Sequence, residues 1–224
     1  GVTHILSRVT GLQSGLSASM LYGAVETTTP VKFFFMNPAV IVFGPNAQLN
    51  VGSSVKFTTA NYIRLIEETT QKSAMFYANP ASDAVTTSGK ASILTIAPPQ
   101  DFGFMPAAFG FLDGNSAGIT VLAGSTLSVA AGSDLTLVAG NKEFTYKDSD
   151  TEDPVTAAGG IRVRGGLLAA PAGEIRLASV ASAGEVLLPN VQTGPNINGQ
   201  SFSAMGTVAL TEGRPIRTVI EQSA

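Results

Sequence analysis

The fold is decided by residues 119–137, which read ITVLAGSTLSVAAGSDLTL. Apolar residues alternate with small polar ones in three short segments, a pattern typical of β-strands with one buried face. Ala-Gly-Ser turns separate these segments at residues 123–125 and 131–133. Such turns bend the chain only a little, whereas a β-hairpin favours a tight reversal such as Asn-Gly or Asp-Gly. The stretch therefore predicts three consecutive strands joined by corners.

The same rhythm recurs on both sides of this stretch. The apolar residues that mark the predicted strands are Ile41/Phe43, Leu49/Val51, Val55/Phe57, Ile63/Leu65, Ile119/Val121, Leu127/Val129, Leu135/Leu137, Phe144/Tyr146, Ile161/Val163, Leu167, Ile175/Leu177 and Val186/Leu188. Three strands recur in roughly 20 to 25 residues, as expected for the coils of a solenoid that share one core. The sequence therefore predicts an all-β parallel β-helix with three-strand coils, and about ten coils would extend roughly 45 to 50 Å.

Two polar stretches interrupt the rhythm and are predicted to leave the coils as short excursions on the surface. The first, residues 67–89, is predicted to hold one short helix or an extra hairpin. The second, residues 147–158, is rich in acidic residues and is closed by Pro154. We expect both excursions to supply contacts rather than core.

The acidic run at residues 148–153 is the best candidate for a metal site, because alternating carboxylates suit Ca²⁺. However, Asp153 stands where an EF-hand loop needs glycine, and Gly159 stands where it needs glutamate. We therefore interpret the run as solvated surface charge, and we predict no bound metal and no cofactor.

Composition excludes several classes of protein. Charged residues make up only 13% of the chain, the net charge is −3 and cysteine is absent, so we predict no nucleic-acid partner, disulfide or thiolate site. His4 is the single histidine, which argues against a histidine-centred triad. No apolar run is long enough to predict a membrane span, and we interpret the run Phe33-Phe34-Phe35 as core filling near a corner.

An enzyme that acts on polysaccharides is the minor alternative, since some lyases and hydrolases are parallel β-helices. Hydrolysis needs two carboxylates that converge on one bond. Asp113 with Asp134, or Glu174 with Glu185, could serve as acid and base. The sequence gives no reason for either pair to meet, so we predict that the chain is not an enzyme.

Several ordered motifs resemble the two-partner-secretion domain, also called the filamentous-haemagglutinin N-terminal or haemagglutination-activity domain. Residues 4–11, HILSRVTG, are similar to its Ile-Leu-x-Arg-Val-Thr-Gly stretch. Residues 36–52, MNPAVIVFGPNAQLNVG, resemble its Asn-Pro-Asn-Gly-Ile segment and the Phe-Gly-Pro-Asn-Ala-x-Leu-x-Val-Gly run that follows. Residues 59–65 and 97–104 continue the resemblance in order, and residues 175–186 resemble the later end of longer homologues.

The resemblance implies a right-handed parallel β-helix that an outer-membrane transporter recognises and exports from a Gram-negative bacterium. It implies a secreted or cell-surface exoprotein acting in adhesion, aggregation or biofilm formation. Asn37, Pro38 and Ile41 match the family's Asn-Pro-Asn-Gly-Ile motif and are the candidate residues for transporter recognition, while Ala39 and Val40 depart from it. A firm corner without any recognition role is the alternative, since proline presets φ and asparagine bonds local backbone.

The resemblance also predicts how the chain is divided. We expect a β-helix over residues 1–190 that lacks the family's amino-terminal cap, and terminal strands or an assembly-related tail over residues 191–224. An uncapped coil would present unpaired strand edges and open apolar core to another chain. Self-association into a filament, by end-to-end stacking or strand addition, is therefore the alternative function.

Overall fold

The regular structure of the chain is built from short strands. The computed structural model describes residues 3–9, 18–67, 72–79, 104–147, 153–189 and 202–212, and it contains no helix in these ranges. The strands are β1 His4–Arg8, β2 Ser19–Leu21, β3 Ala24–Glu26, β4 Lys32–Met36, β5 Ile41–Phe43, β6 Gln48–Asn50, β7 Val55–Thr58, β8 Tyr62–Glu67, β9 Ser73–Tyr77, β10 Phe104–Phe111, β11 Ile119–Leu122, β12 Thr126–Ser128, β13 Leu135–Ala139, β14 Phe144–Lys147, β15 Pro154–Ala157, β16 Ile161–Arg164, β17 Leu167–Ala169, β18 Ile175–Ser179, β19 Gly184–Leu187 and β20 Val208–Thr211.

Three parallel sheets form the body of the molecule. Sheet A has the order β1-β4-β7-β13-β18, sheet B has β2-β5-β11-β16-β20, and sheet C has β17-β12-β6-β3. Consecutive strands such as β11, β12 and β13 belong to three different sheets, and Leu135 of β13 pairs with Val55 of β7 and Ile175 of β18. The chain therefore winds from sheet to sheet, which confirms the predicted parallel β-helix. Its right hand stays a prediction.

Alternation along each strand fills the interior of the β-helix. Phe57 and Leu137 are neighbours in sheet A, and both side chains are fully buried in the cluster that the three sheets enclose. Phe33 and Phe35 pack against this cluster, while Phe34 belongs to a second cluster on the outer face of sheet A. The run of three phenylalanines is core, as predicted, but it serves two cores because adjacent side chains in a strand point to opposite faces.

An antiparallel sheet lies on the outer face of sheet A. This cover sheet has the order β19-β10-β8-β9, and its Ile63, Phe76 and Phe109 share a buried cluster with Phe34 and Val138 of sheet A. The hairpin β8–β9 is the extra hairpin that was one prediction for residues 67–89; residues 68–71 and 80–89 lie outside the described ranges. The described part of this excursion buries apolar side chains and is not a loop free in solvent.

A second excursion covers part of sheet B. Strands β14 and β15 pair antiparallel, and Phe144 and Tyr146 pack against a buried cluster that contains Val40 and Val42. The acidic run between these strands falls at residues 148–152, outside the described ranges, with Asp153 at its described edge. This excursion too acts as a cover for a sheet face.

The stack of strands in the described ranges is shorter than the roughly ten coils that the sequence predicts for the chain. Sheets A and B each stack five strands in the described ranges, which spans roughly 20 Å at the usual strand spacing. The strands predicted at Ile63/Leu65, Phe144/Tyr146 and Val186/Leu188 exist, but all lie in antiparallel excursions. Strands of the parallel coils and strands of the antiparallel excursions both alternate with period two. Counting coils from this alternation alone therefore gives too many. Beyond residue 190, β20 joins sheet B beside β16, and the proposed division of the chain at residue 190 stays a prediction.

Candidate recognition corner and charged clusters

Asn37 begins the corner that carries the chain from sheet A to sheet B. The side chain is 1% exposed; its Oδ1 accepts a hydrogen bond from the Ala39 N–H at 3.0 Å, and its Nδ2 donates to Ser19 Oγ at 2.7 Å. The Asn37 N–H donates to Thr58 O at 3.0 Å. Asn37 therefore shapes its own turn and bonds to β2 on one side and to β7 on the other.

The other two candidate residues complete the corner. Pro38 is buried, and its carbonyl oxygen accepts a hydrogen bond from the Ala117 N–H at 3.0 Å. Ile41 is fully buried in the interior core and lies between Ser19 and Ile119 in sheet B. The structure brings Asn37, Pro38 and Ile41 together, but all three are turned into the protein and away from solvent.

A charged cluster that the sequence did not predict lies on the outer face of sheet A. Lys56 places its Nζ 5.0 Å from the centre of the Phe34 ring, opposite Thr136 of β13. Burial lowers the pKa of Lys56 to about 8; nearby Asp134 opposes this shift, while Lys32 and Arg176 add to it. A lysine at an outward position between hydrophobic residues was the one available signal in the sequence.

Asp134 and Arg176 form the ion pair of this cluster. Arg176 Nη1 lies 2.7 Å from Asp134 Oδ2, and the Glu174 N–H donates to Asp134 Oδ1 at 3.0 Å. Burial acts to raise the pKa of Asp134, but the bonds from Arg176 and Glu174, with the charges of Arg176 and Lys56, outweigh it and lower that pKa. Arg176 also forms an ion pair with the Glu174 carboxylate, so a single guanidinium joins two carboxylates.

The comparison with protein families decides the identity of this β-helix. The family model of the TPS secretion domain matches residues 2–223. The chain belongs to the TPS secretion domain family. The resemblance to the two-partner-secretion domain is thereby confirmed, and the match extends past the residues that carried it. No curated protein and no solved structure is significantly similar to the chain.

Membership of this family fixes the coarse biology of the TPS domain. Its members are exoproteins that Gram-negative bacteria secrete, with an outer-membrane transporter as the second partner. In the described ranges, no helix is long and apolar enough to cross a membrane.

The carboxylates posed as catalytic pairs in the TPS domain have other partners. Asp113 accepts hydrogen bonds from the backbone and side-chain nitrogens of Asn115, both at 2.8 Å. Glu185 forms an ion pair with Arg64 at 2.9 Å and accepts a hydrogen bond from Tyr62 at 3.0 Å. The structure instead joins Asp134 to Glu174, through Arg176. Which carboxylates become neighbours depends on the order of strands in the sheets, and the distance between residues along the sequence does not reveal that order.

His4, the single histidine, and the carboxylates were also considered as candidates for a catalytic or metal site. His4 Nδ1 contacts the hydroxyl of Thr3 at 3.0 Å, and its pKa is lowered by burial and by nearby Lys32 and Lys56. Among the residues that the structure describes, no three histidine, aspartate or glutamate side chains are grouped to hold a metal ion.

Proposed function

We propose that this TPS domain is a non-enzymatic structural and adhesive β-helix, acting outside the cell in adhesion, aggregation or biofilm formation. The observation that supports the proposal is that the carboxylates considered as catalytic groups already bond to other groups of the protein. Asp134 and Glu174 share Arg176, Glu185 is held by Arg64, and Asp113 closes a local turn. A general acid and base must instead converge on one substrate bond. The family's coupling to secretion and its rigid stacked coils support an exposed scaffold.

The direct test is adherence of the purified domain. Latex beads coated with it are expected to bind bacterial or epithelial cells more than beads coated with albumin, and mixed suspensions are expected to aggregate. The same preparation is expected to release no reducing ends and no unsaturated products from a polysaccharide panel. Adherence equal to that of albumin beads, or release of sugar products, would contradict the proposal.

We propose in addition that the transporter reads Asn37, Pro38 and Ile41 before the domain folds. In the folded molecule Asn37 is 1% exposed and Ile41 is fully buried, so their side chains offer a partner almost no surface. An unfolded chain exposes the same residues and retains the local turn preference of Asn-Pro. The same three residues can therefore be recognised by the transporter in the unfolded chain and form a buried corner after the domain has folded.

Asn61 provides the matched control for this recognition test. Its Oδ1 accepts hydrogen bonds from the Leu112 N–H at 2.9 Å and from Ser116 Oγ at 3.2 Å, so it too stabilises a corner. With the transporter co-expressed, Asn37→Ala is expected to reduce secretion strongly, while Asn61→Ala is expected to be secreted normally. Thermal unfolding of both refolded variants gives the stability loss of each. If the loss of secretion in each variant is proportional to its loss of stability, Asn37 acts only as a corner residue and the recognition proposal is wrong.

A filament subunit is the second candidate function, and exposed apolar residues on the last strands of the described stack favour it. Leu167 is 56% exposed, Ile175 42% and Leu210 64%. Apolar side chains along strand edges promote pairing with another chain. Electron microscopy of the purified protein at rising concentration is expected to show fibres, which Leu167→Lys with Leu210→Lys is expected to abolish. Monomers at every concentration would exclude this function.

A further inference from the structure

Sheet C presents a polar outer face. Leu49 and Leu127 point into the interior core, so their neighbours in β6 and β12 point outward. Gln48 and Thr126 are paired across these strands, and Asn50 and Ser128 lie two residues further along. The four polar side chains thus form a grid with spacings of roughly 4.8 Å and 6.7 Å. Within the described ranges, the clusters under the two excursions involve the outer faces of sheets A and B and leave sheet C without a cover.

A groove runs along this face. It has a volume of about 720 Å³, and the turn at residues 27–30 forms one wall beside the grid. All thirteen residues that line the groove are uncharged, and seven of them carry a hydroxyl or an amide. In a chain with thirteen basic and sixteen acidic residues, such a lining suits a ligand that is polar but neutral.

The groove has unused hydrogen-bonding capacity. Among the described residues, the side chains of Gln48, Thr126 and Ser128 bond to no other protein group. Thr27 Oγ1 is buried without a partner, and Asn50 Nδ2 is held by Glu26 Oε1 at 2.7 Å. The exposed amide of Gln48 and the half-buried hydroxyls of Thr126 and Ser128 can therefore exchange water for hydrogen bonds to a ligand. Amides and hydroxyls both donate and accept, as do the hydroxyls of a sugar ring.

We propose that this groove binds an uncharged glycan chain. The inference rests on the proposed adhesive function and gives it a ligand class. Charge selects the occupant: an acidic glycan would meet no cation in the lining, and a basic peptide would meet a single carboxylate at the edge of the groove, that of Glu26, which already accepts the Asn50 amide. An apolar ligand would desolvate the grid without replacing its hydrogen bonds. The lining holds no aromatic ring on which a sugar could stack, so each site binds weakly and adhesion depends on many sites acting together.

The test is a titration of the whole domain followed by amide NMR. Maltohexaose, cellohexaose and hexa-N-acetylchitohexaose are the neutral probes, and oligogalacturonate is the acidic comparator. At least one neutral probe is expected to shift the side-chain amide signal of Gln48 and the backbone signals of Thr126 and Ser128, and the acidic comparator is expected to leave them unchanged. Gln48→Ala and Ser128→Ala are each expected to weaken binding roughly fivefold, the change for one lost hydrogen bond.

Thr145 and Thr156 provide the control, since their hydroxyls bond to each other at 2.9 Å on the exposed hairpin β14–β15. Thr145→Ala is expected to bind the neutral probe as the parent protein does. Absence of shifts with every neutral probe, or tighter binding of oligogalacturonate, would overturn the glycan site. Beads that still adhere while the domain binds no oligosaccharide would overturn this inference alone, whereas beads that fail to adhere would count against the proposed function.

Discussion

The interior of the β-helix and the layer between sheet A and the cover sheet are both buried, but they are built differently. The interior cluster is built from aliphatic and aromatic residues that repeat from coil to coil. The outer layer combines an equally buried apolar cluster with charged residues at its margin, where Lys56 and Arg176 flank Thr136. Both Thr136 Oγ1 and Arg176 Nε are buried without a hydrogen-bond partner. The interior is therefore specified by a repeat, whereas the outer layer is fitted together from distant segments.

Truncation of an interior aromatic residue gives the largest expected effect and tests whether the interior contributes more to stability than the outer layer. The Phe57 ring has ring neighbours in Phe43, Phe35 and Phe33, with centroids 4.8, 5.8 and 6.2 Å away. Phe109, in the outer layer, is equally buried and has Phe34 at 6.4 Å. We expect Phe57→Ala to lower the free energy of unfolding by about 5 kcal/mol, and Phe109→Ala by about 3 kcal/mol.

Urea denaturation of both variants measures this difference, with Phe57→Leu as the control that keeps most of the volume. Losses of the same size would mean that the cover sheet contributes as much as the repeat. The interior and the outer layer would then contribute equally to stability.

The second test concerns the corner at which the chain leaves sheet A for hairpin β14–β15. A Cβ on Gly140 would lie 1.9 Å from the carbonyl oxygen of Ser116, and the Gly140 N–H donates to Thr59 Oγ1 at 2.8 Å. Backbone cannot yield as a flexible side chain can, so we expect Gly140→Ala to cost about 3 kcal/mol.

Gly23, at the short corner between β2 and β3, is the matched control, because a Cβ there would have no atom within 4 Å. Gly23→Ala is expected to change stability by less than about 1 kcal/mol. Thermal unfolding of both variants measures the difference. A Gly140→Ala variant as stable as Gly23→Ala would show that the excursion corner can shift to admit a methyl group.

Removal of the buried charge in the outer layer is expected to act in the opposite direction. Burial lowers the pKa of Lys56 from 10.5 to about 8, so at neutral pH the folded state carries a penalty for keeping this amine charged. The facing Asp134 reduces this penalty, while Lys32 and Arg176 increase it. We expect Lys56→Met to stabilise the domain by about 1 to 3 kcal/mol at pH 7.

The pH dependence fixes the sign of this effect. Between pH 8 and pH 10.5 the unfolded chain keeps the Lys56 proton and the folded chain has lost it, so the stability of the parent protein rises with pH in this window. Lys56→Met is expected to remove that rise, whereas Lys32→Met, at an exposed residue, is expected to retain it. Urea titrations at pH 7 and pH 10 compare the three proteins. A parent protein whose stability does not rise over this range would contradict the buried charge.

The difference between the two layers also explains how far the sequence could predict this molecule. Alternation at Ile119/Val121, Leu127/Val129 and Leu135/Leu137 predicted strands that line the interior, since each coil repeats the same pattern. The strands that contain Ile63 and Phe144 were assigned to coils, because a strand in an excursion has the same period of two. The position of Asn37, Pro38 and Ile41 at one corner followed from their adjacency. The meeting of Asp134 with Glu174 across Arg176 depends on strand order over 40 residues, which no local pattern contains.

The ion pair at the margin of the outer layer gives the smallest expected effect. Asp134 is 34% exposed in its side chain, so solvent screens its attraction to Arg176, and we expect Asp134→Asn to cost less than about 1 kcal/mol at pH 7. Its lowered pKa means that this contribution is present above the ordinary value of 3.8 and is lost as the pH falls through the folded value. Glu174→Gln, at a side chain 56% exposed, is expected to change stability hardly at all. Unfolding measured at pH 7 and pH 3 compares the variants. A cost for Asp134→Asn as large as that of Phe109→Ala would place this ion pair among the main supports of the outer layer and remove the contrast with the interior.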